Sequence, residues 1–182
     1  MPKPIDAVAG NIHVLEQGLD VLRRLEDSTY SGDPVPDLEH PVDGSPVGAH
    51  FRHILDHYHC FFVGLEQGRL DYDERERDPR LERERNFAIE TIEGTLRQLA
   101  GFTAEEGELT LLVNVNSGGP DGETPDWSTS SAKRELQFLV SHTVHHFALI
   151  KEVLRRSGFD AGAEFGVAPS TLAHRRQQAC AR

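Results

Sequence analysis

Only two cysteines occur in the 182 residues, Cys60 and Cys180. That number excludes a disulfide framework, and the pair lacks the CxxC spacing of a thiolate metal site or a redox couple. No apolar run approaches the roughly 20 residues of a membrane-spanning helix. The opening Met1-Pro2-Lys3-Pro4-Ile5-Asp6 has no apolar stretch after its lysine, so no secretory leader is expected and the expected compartment is the cytoplasm. Basic side chains are scarce: 19 Lys and Arg stand against 30 Asp and Glu, a formal net charge of -11. Such a surface repels phosphate backbones and anionic lipid unless a basic face is segregated. Here the cations are interleaved with acids, as in Asp73-Glu74-Arg75-Glu76-Arg77, and the purely basic His174-Arg175-Arg176 lies near the C-terminus. Neither nucleic acid nor a membrane is therefore an expected partner. The chain has no internal repeat, and its length with 37 % hydrophobic residues predicts one domain over 1–182 with its own core.

What is present is helical periodicity. Ile5, Val8, Ile12, Leu15, Leu19 and Leu22 recur at three and four, one apolar stripe on a helix of about 25 residues, with Pro4 suited to its first turn. From Tyr30 to Gly44 the chain turns to Gly, Pro and Asp, a long connection. Ser45-Pro46 then reads as N-cap and first-turn proline of a second helix carrying Val47, Phe51, Ile54, Tyr58, Phe61 and Leu65, down to a stop at Gly68. Residues 71–85 are charged at twelve of fifteen positions. They read as a solvated helical lead-in or charged loop, with the alternative that Arg75 or Arg77 reaches a pocket mouth and clamps an anion. After Asp78-Pro79, Leu81, Ala88, Ile92, Leu96 and Leu99 predict a third helix ending near Gly101.

Leu109, Leu111, Val113 and Val115 alternate with Thr110, Leu112, Asn114 and Asn116 before the turn-rich Ser117–Gly122, which predicts a small β-hairpin. Pro125 in the return arm limits that arm to a short edge pairing. Thr129-Ser130-Ser131 is expected to cap a fourth helix with Leu136, Val140, Thr143, Phe147, Ile150 and Leu154 on one face, up to Gly158. The tail, 159–182, is expected to be partly irregular, with one short helix after Ser170. The expected fold class is all-α: a four-helix bundle with a small β-hairpin inserted between helices three and four.

Seven of the ten histidines fall in two short stretches: His50, His53, His57 and His59, then His142, His145 and His146. At 100° per residue His50, His53 and His57 lie within about 60° of one another beside the apolar face, and His59 points nearly opposite. His142 and His146 are one turn apart, roughly 6 Å between Cβ atoms, a separation that two imidazoles can close around one ion. His145 faces away. An i,i+4 pair from one helix and one histidine from the other would make a three-nitrogen site with a position open to water or substrate, as in catalytic rather than structural zinc. The periodicity leaves His50, His53 and His57 open as the third ligand. Cys60 is excluded as a fourth, because seven residues carry it about 10.5 Å from His53 along the helix. Thr143 stands where a zincin's HExxH has its glutamate base, which argues against a protease of that type.

These stretches resemble the DinB-like superfamily, which includes the bacillithiol S-transferases and the mycothiol-dependent enzymes. The resemblance runs over roughly residues 1 to 158. Ser45-Pro46-Val47-Gly48-Ala49-His50-Phe51-Arg52-His53-Ile54-Leu55-Asp56 is similar to the family's second-helix stretch, with His53 in the ligand place. Ser141-His142-Thr143-Val144-His145-His146 is similar to its later His-x-x-x-His. In place of the Arg-Gly-Gln that often follows stand Phe147, Ala148 and Leu149. The resemblance implies His53, His142 and His146 as metal ligands.

Two functions follow as expectations. One is an enzyme, a thiol S-transferase or hydrolase, whose divalent ion, zinc or nickel by ligand type, activates a low-molecular-weight thiol or water toward a small electrophilic substrate. Asp56 would then orient His53, and His50 or His57 would carry a proton. The other is a metal-binding stress or interaction module without turnover that forms a homodimer. A bundle with incidental histidines is a third possibility.

Overall fold

The first apolar stripe forms helix α1 (Asp6–Arg24), which buries Val8, Leu15, Leu19 and Leu22 together with the polar Asn11. The computed structural model describes residues 6–32, 47–115 and 125–180. The expected helix starts at Pro4 and Ser45-Pro46, most of the long connection, and the turn at Ser117–Gly122 lie outside the described residues. A single turn, α2 (Asp27–Ser31), follows and buries Tyr30. Helix α3 (Val47–Gln67) carries the second stripe and stops at Gly68, whose φ of +71° ends a helix at no Cβ cost.

Directly after Gly68 the chain forms a strand that the sequence pattern does not predict, β1 (Arg69–Asp71). The irregular charged stretch that follows leads to α4 (Arg80–Arg83) and α5 (Arg85–Gly101). The single helix expected here is interrupted at Glu84, which is extended (φ -112°, ψ 93°). The four charged residues 82–85 offer no apolar stripe to carry a helix through. The break lets Leu81 pack beside Tyr30, whose hydroxyl donates to the Leu81 carbonyl, while Ala88 and Ile92 are buried on α5. Gly48 on α3 permits the close approach of α4, since a Cβ there would lie 2.0 Å from the Glu82 carbonyl oxygen.

A further short turn, α6 (Ala104–Gly107), opens on a reciprocal capping box between Thr103 and Glu106. The expected hairpin is present as β2 (Thr110–Asn114) and β3 (Trp127–Ser131), antiparallel with Leu111 opposite Ser130 and Val113 opposite Ser128. Leu111 and Val113 are buried and Thr110 and Leu112 exposed, as the alternation requires. The return arm is longer than Pro125 led us to expect, because the proline lies before the strand and removes no ladder donor. β1 adds in parallel to the other edge of β2, so the sheet has the order β1-β2-β3.

Helix α7 (Ala132–Arg156) begins at Ser131, whose side chain accepts from the Arg134 amide. The tail forms α8 (Pro169–Cys180), and before it Phe165 stacks on Phe147 at 4.5 Å. The described chain is mostly helical with one small three-stranded sheet. α1 packs on α5 and α7, and α3 packs on the same two helices.

One buried polar network crosses this packing. Asn11 donates to the carbonyls of Ala7 (2.7 Å) and Leu136 (2.8 Å), and its own oxygen accepts from the Tyr58 hydroxyl at 2.6 Å. Thr143 donates to that hydroxyl at 3.4 Å. α1, α3 and α7 are thereby joined through atoms that have no water to fall back on. Tyr58→Phe leaves the Asn11 oxygen without its donor, and a loss of about 1–3 kcal/mol is expected. It should appear as a lower urea midpoint with unchanged helical circular dichroism; an unchanged midpoint would show that the network carries no stability.

Candidate metal centre

Tyr58 and Thr143 fix where α3 and α7 meet, and the histidines flank those two residues. His53 and His57 lie one turn apart on α3, His142 and His146 one turn apart on α7. Their rings form a closed circuit with centroid separations of 4.5 Å (His53–His57), 4.3 Å (His57–His142), 4.6 Å (His142–His146) and 4.5 Å (His146–His53). Within it, His53, His57 and His142 each offer one nitrogen, and these three atoms lie within 4.8 Å of one another. The trio that the resemblance implies, His53, His142 and His146, lies in the same circuit. His57, expected as a proton carrier, offers a nitrogen to the converging group, and His146 adjoins it with Nδ1 turned 3.0 Å from Nδ1 of His50.

A hydrogen bond fixes the tautomer of His57. The His57 ring must donate from Nδ1 to the His53 carbonyl (2.7 Å), since a carbonyl only accepts. Its Nε2 lone pair is then free. Nε2 of His142 is buried and has no hydrogen-bond partner, an orphan that a native structure rarely leaves without a ligand. Of His50 and His146, one donates and the other accepts, so His50 is placed to orient His146 in the manner of an outer-shell partner. Ring nitrogens in this number suit zinc, nickel or another borderline divalent ion. The residues present therefore fit the implied metal.

Aromatic walls close the site. Tyr72 stacks on His57 (5.3 Å, 25°) and Phe138 on His142 (5.4 Å, 27°). Phe138 precedes His142 by one helical turn and could have been read from that spacing; Tyr72, in the irregular stretch after β1, offers no periodic signal. Burial, and then the neighbouring imidazoles, push the ring of His53 down to about 2. Burial also takes His57 to about 4, against the bond to the His53 carbonyl. His142 and His146 fall to about 3 through burial and adjacent rings. All four are neutral at pH 7, the state in which imidazole binds a metal.

The remaining sequence candidates divide. Asp56, expected to orient His53, is buried and instead faces Arg52 at 3.7 Å; burial raises its pKa. His59 and His145 are exposed, as the helical wheel requires. Cys60 points to β1, its thiol donating to the Asp71 carbonyl (3.3 Å), and burial lifts it to about 11. Arg75 does reach the site, donating from Nη2 to Nδ1 of His53 at 3.1 Å.

No family model matches the chain. It is similar to FK506-binding protein 5 of Rhizopus delemar, 30 % identical over 109 residues. The match covers 60 % of this chain and spans 28 % of the length of that relative.

A pH dependence follows for the metal-free protein. The four folded values lie below the ordinary 6.5, so below that pH the unfolded chain takes up protons that the folded chain refuses. Stability is full above pH 6.5 and is lost as the pH falls toward the folded values. The buried His57 contributes at most about 1.4 kcal/mol per pH unit within its window. Urea midpoints should therefore decline from pH 7 to pH 5 without added metal, and a flat profile would contradict the burial of neutral rings.

Proposed function

We propose that this chain is a metal-dependent enzyme of the DinB-like type, built as a four-helix bundle, with a histidine-bound divalent ion, zinc or nickel, at the junction of α3 and α7. The observation that carries the proposal is the convergence of His53, His57 and His142 around an unpartnered buried Nε2. His146, held by His50, completes the nitrogen-rich lining. When bound, such an ion lowers the pKa of a thiol or water, making a nucleophile near neutral pH. The chain's own residues supply the setting. Tyr72 and Phe138 cover one face each of His57 and His142, and the neutral imidazoles would leave the ion's charge unquenched for an incoming anion.

A small electrophilic substrate has room nearby. A cavity of about 660 Å³ lies between the sheet and α7, lined by Tyr72, Phe138, Arg134, Glu135 and the β3 side chains, within the usual size of ligand pockets. Tyr72 and Phe138 are shared between this cavity and the histidine rings. Glu135, buried in its wall, accepts from the Tyr72 hydroxyl (3.1 Å) and from Ser130 at 2.5 Å.

A second reading, the non-catalytic metal-binding module that dimerises, draws on the count of rings. Four imidazoles can fill all four positions of a tetrahedral ion, which is the mark of structural zinc. The two readings part on the last coordination position. An added thiol should change the visible absorption of the cobalt-loaded protein if that position is open, and leave it unchanged if a fourth histidine fills it.

The site itself is tested by metal content. His142→Ala should weaken zinc binding by more than the roughly 100-fold that loss of an outer-shell partner costs, with helical circular dichroism retained. His59→Ala, His145→Ala and Cys60→Ser should bind zinc as the parent does. Stoichiometric zinc in His142→Ala, measured by mass spectrometry, would place the site elsewhere.

A further inference from the structure

The charged stretch after β1 places a guanidinium against the candidate metal ligands. Arg75 is half-buried. It donates from Nη1 to the Tyr72 carbonyl at 2.5 Å and from Nη2 to Nδ1 of His53 at 3.1 Å, and its Nε is buried with no hydrogen-bond partner. Guanidinium carries only donors, so the contact with His53 consumes the lone pair of Nδ1. A neutral imidazole has one lone pair. A metal ion at His53 needs either that lone pair or the one on Nε2. In the second case Nδ1 carries the hydrogen and confronts an N–H of Arg75. Whichever nitrogen binds, Arg75 must leave His53.

The unpartnered Nε and the vacated Nη2 together have a specific shape. Nε–H and one Nη2–H point the same way and form the side-on fork of a guanidinium, which matches the two oxygens of a carboxylate. Nη1 meanwhile keeps the backbone anchor at Tyr72. Arg52 and Arg77 add positive charge around Arg75, and Asp56, the carboxylate that offsets it, already faces Arg52. An ion of charge +2 beside this cation cluster is repelled unless an anion arrives with it.

We infer that Arg75 is a carboxylate clamp of the metal site: the carboxylate of a small ligand takes the unpartnered Nε donor together with the Nη2 donor that leaves His53, so that metal and carboxylate bind cooperatively. This rests on the proposed metal site and narrows its ligand class to carboxylate-bearing small molecules. Coupling between sites is reciprocal, so the anion tightens the metal by the same factor as the metal tightens the anion.

The test measures zinc affinity against a chelating indicator, at fixed free zinc and pH 7, in sodium acetate and in sodium perchlorate of equal ionic strength. For the parent, acetate should tighten zinc binding by about tenfold, the lower part of the range for ordinary site coupling. Arg75→Met should bind zinc more tightly than the parent in perchlorate, having lost the competing donor and the like charge, and should not respond to acetate. Arg75→Lys keeps the charge and lacks the fork, so its response to acetate should also be lost, a result that a merely structural role for Arg75 would not produce. Equal zinc affinity of the parent in the two salts would overturn the clamp while leaving the metal site standing; it would mean that the freed guanidinium turns inward to Asp56. Failure of every protein to bind stoichiometric zinc in either salt would overturn the metal site and the clamp together.

Discussion

The hydrogen bond from Tyr58 to Asn11 sets the register on which the site depends. Tyr58 follows His57 on α3, and its hydroxyl also receives Thr143, which follows His142 on α7. A slip of either helix by one residue turns a side chain by about 100°. It would bury a polar atom without its partner and carry an imidazole out of the cluster at once. Apolar stripes alone tolerate sliding, because one leucine packs much like the next. The Asn11 network adds the directional constraint that the stripes lack, and it lies one position from the groups whose geometry matters.

Around that register the electrostatics are deliberately unbalanced. Among the described residues of a chain of net charge -11, Asp56 and Glu135 are the buried acids, and they share the interior between α3, α7 and the charged stretch with neutral rings and the half-buried Arg75. Packing several imidazoles with hydrophobic walls costs solvation that the fold must recover elsewhere. The recovery comes from the core of Phe51, Phe61, Phe147 and the leucines of α1, all fully or nearly fully buried. The four rings are consequently held neutral at the junction of α3 and α7.

Sequence pattern was informative where structure is local and periodic. The stripes of α1, α3 and α7, the alternation of β2 and the outward aim of His59 and His145 all follow from one repeat length and from which side chains tolerate water. It was uninformative where a partner is distant. β1 is three residues with one apolar side chain, and its strand nature exists only because Leu70 meets Val113. The break at Glu84 depends on Leu81 finding Tyr30, and the stacking of Tyr72 on His57 depends on the path after β1. Periodicity brought His50, His53 and His57 to one edge without ranking them. Ranking them needs the ring orientations, and those are set by the carbonyl that His57 meets and by the neighbour that His50 meets.

The segment carrying Arg75 is attached differently from the helices carrying the histidines. It is held by a three-residue parallel ladder, by the Asp71 carboxylate, which accepts from the amides of Asp73 and Glu74 and from the Asn114 side chain, and by the buried Tyr72, which stacks on His57 and donates to Glu135. The helices are anchored by the whole core. Opening free energies in a protein scale with what each cooperative unit buries, and between β1 and α4 this segment buries Tyr72. The molecule thus carries the ring nitrogens on two long helices and the neighbouring cation on a third, non-helical segment, so that the spacing of the rings and the charge beside them rest on different parts of the fold.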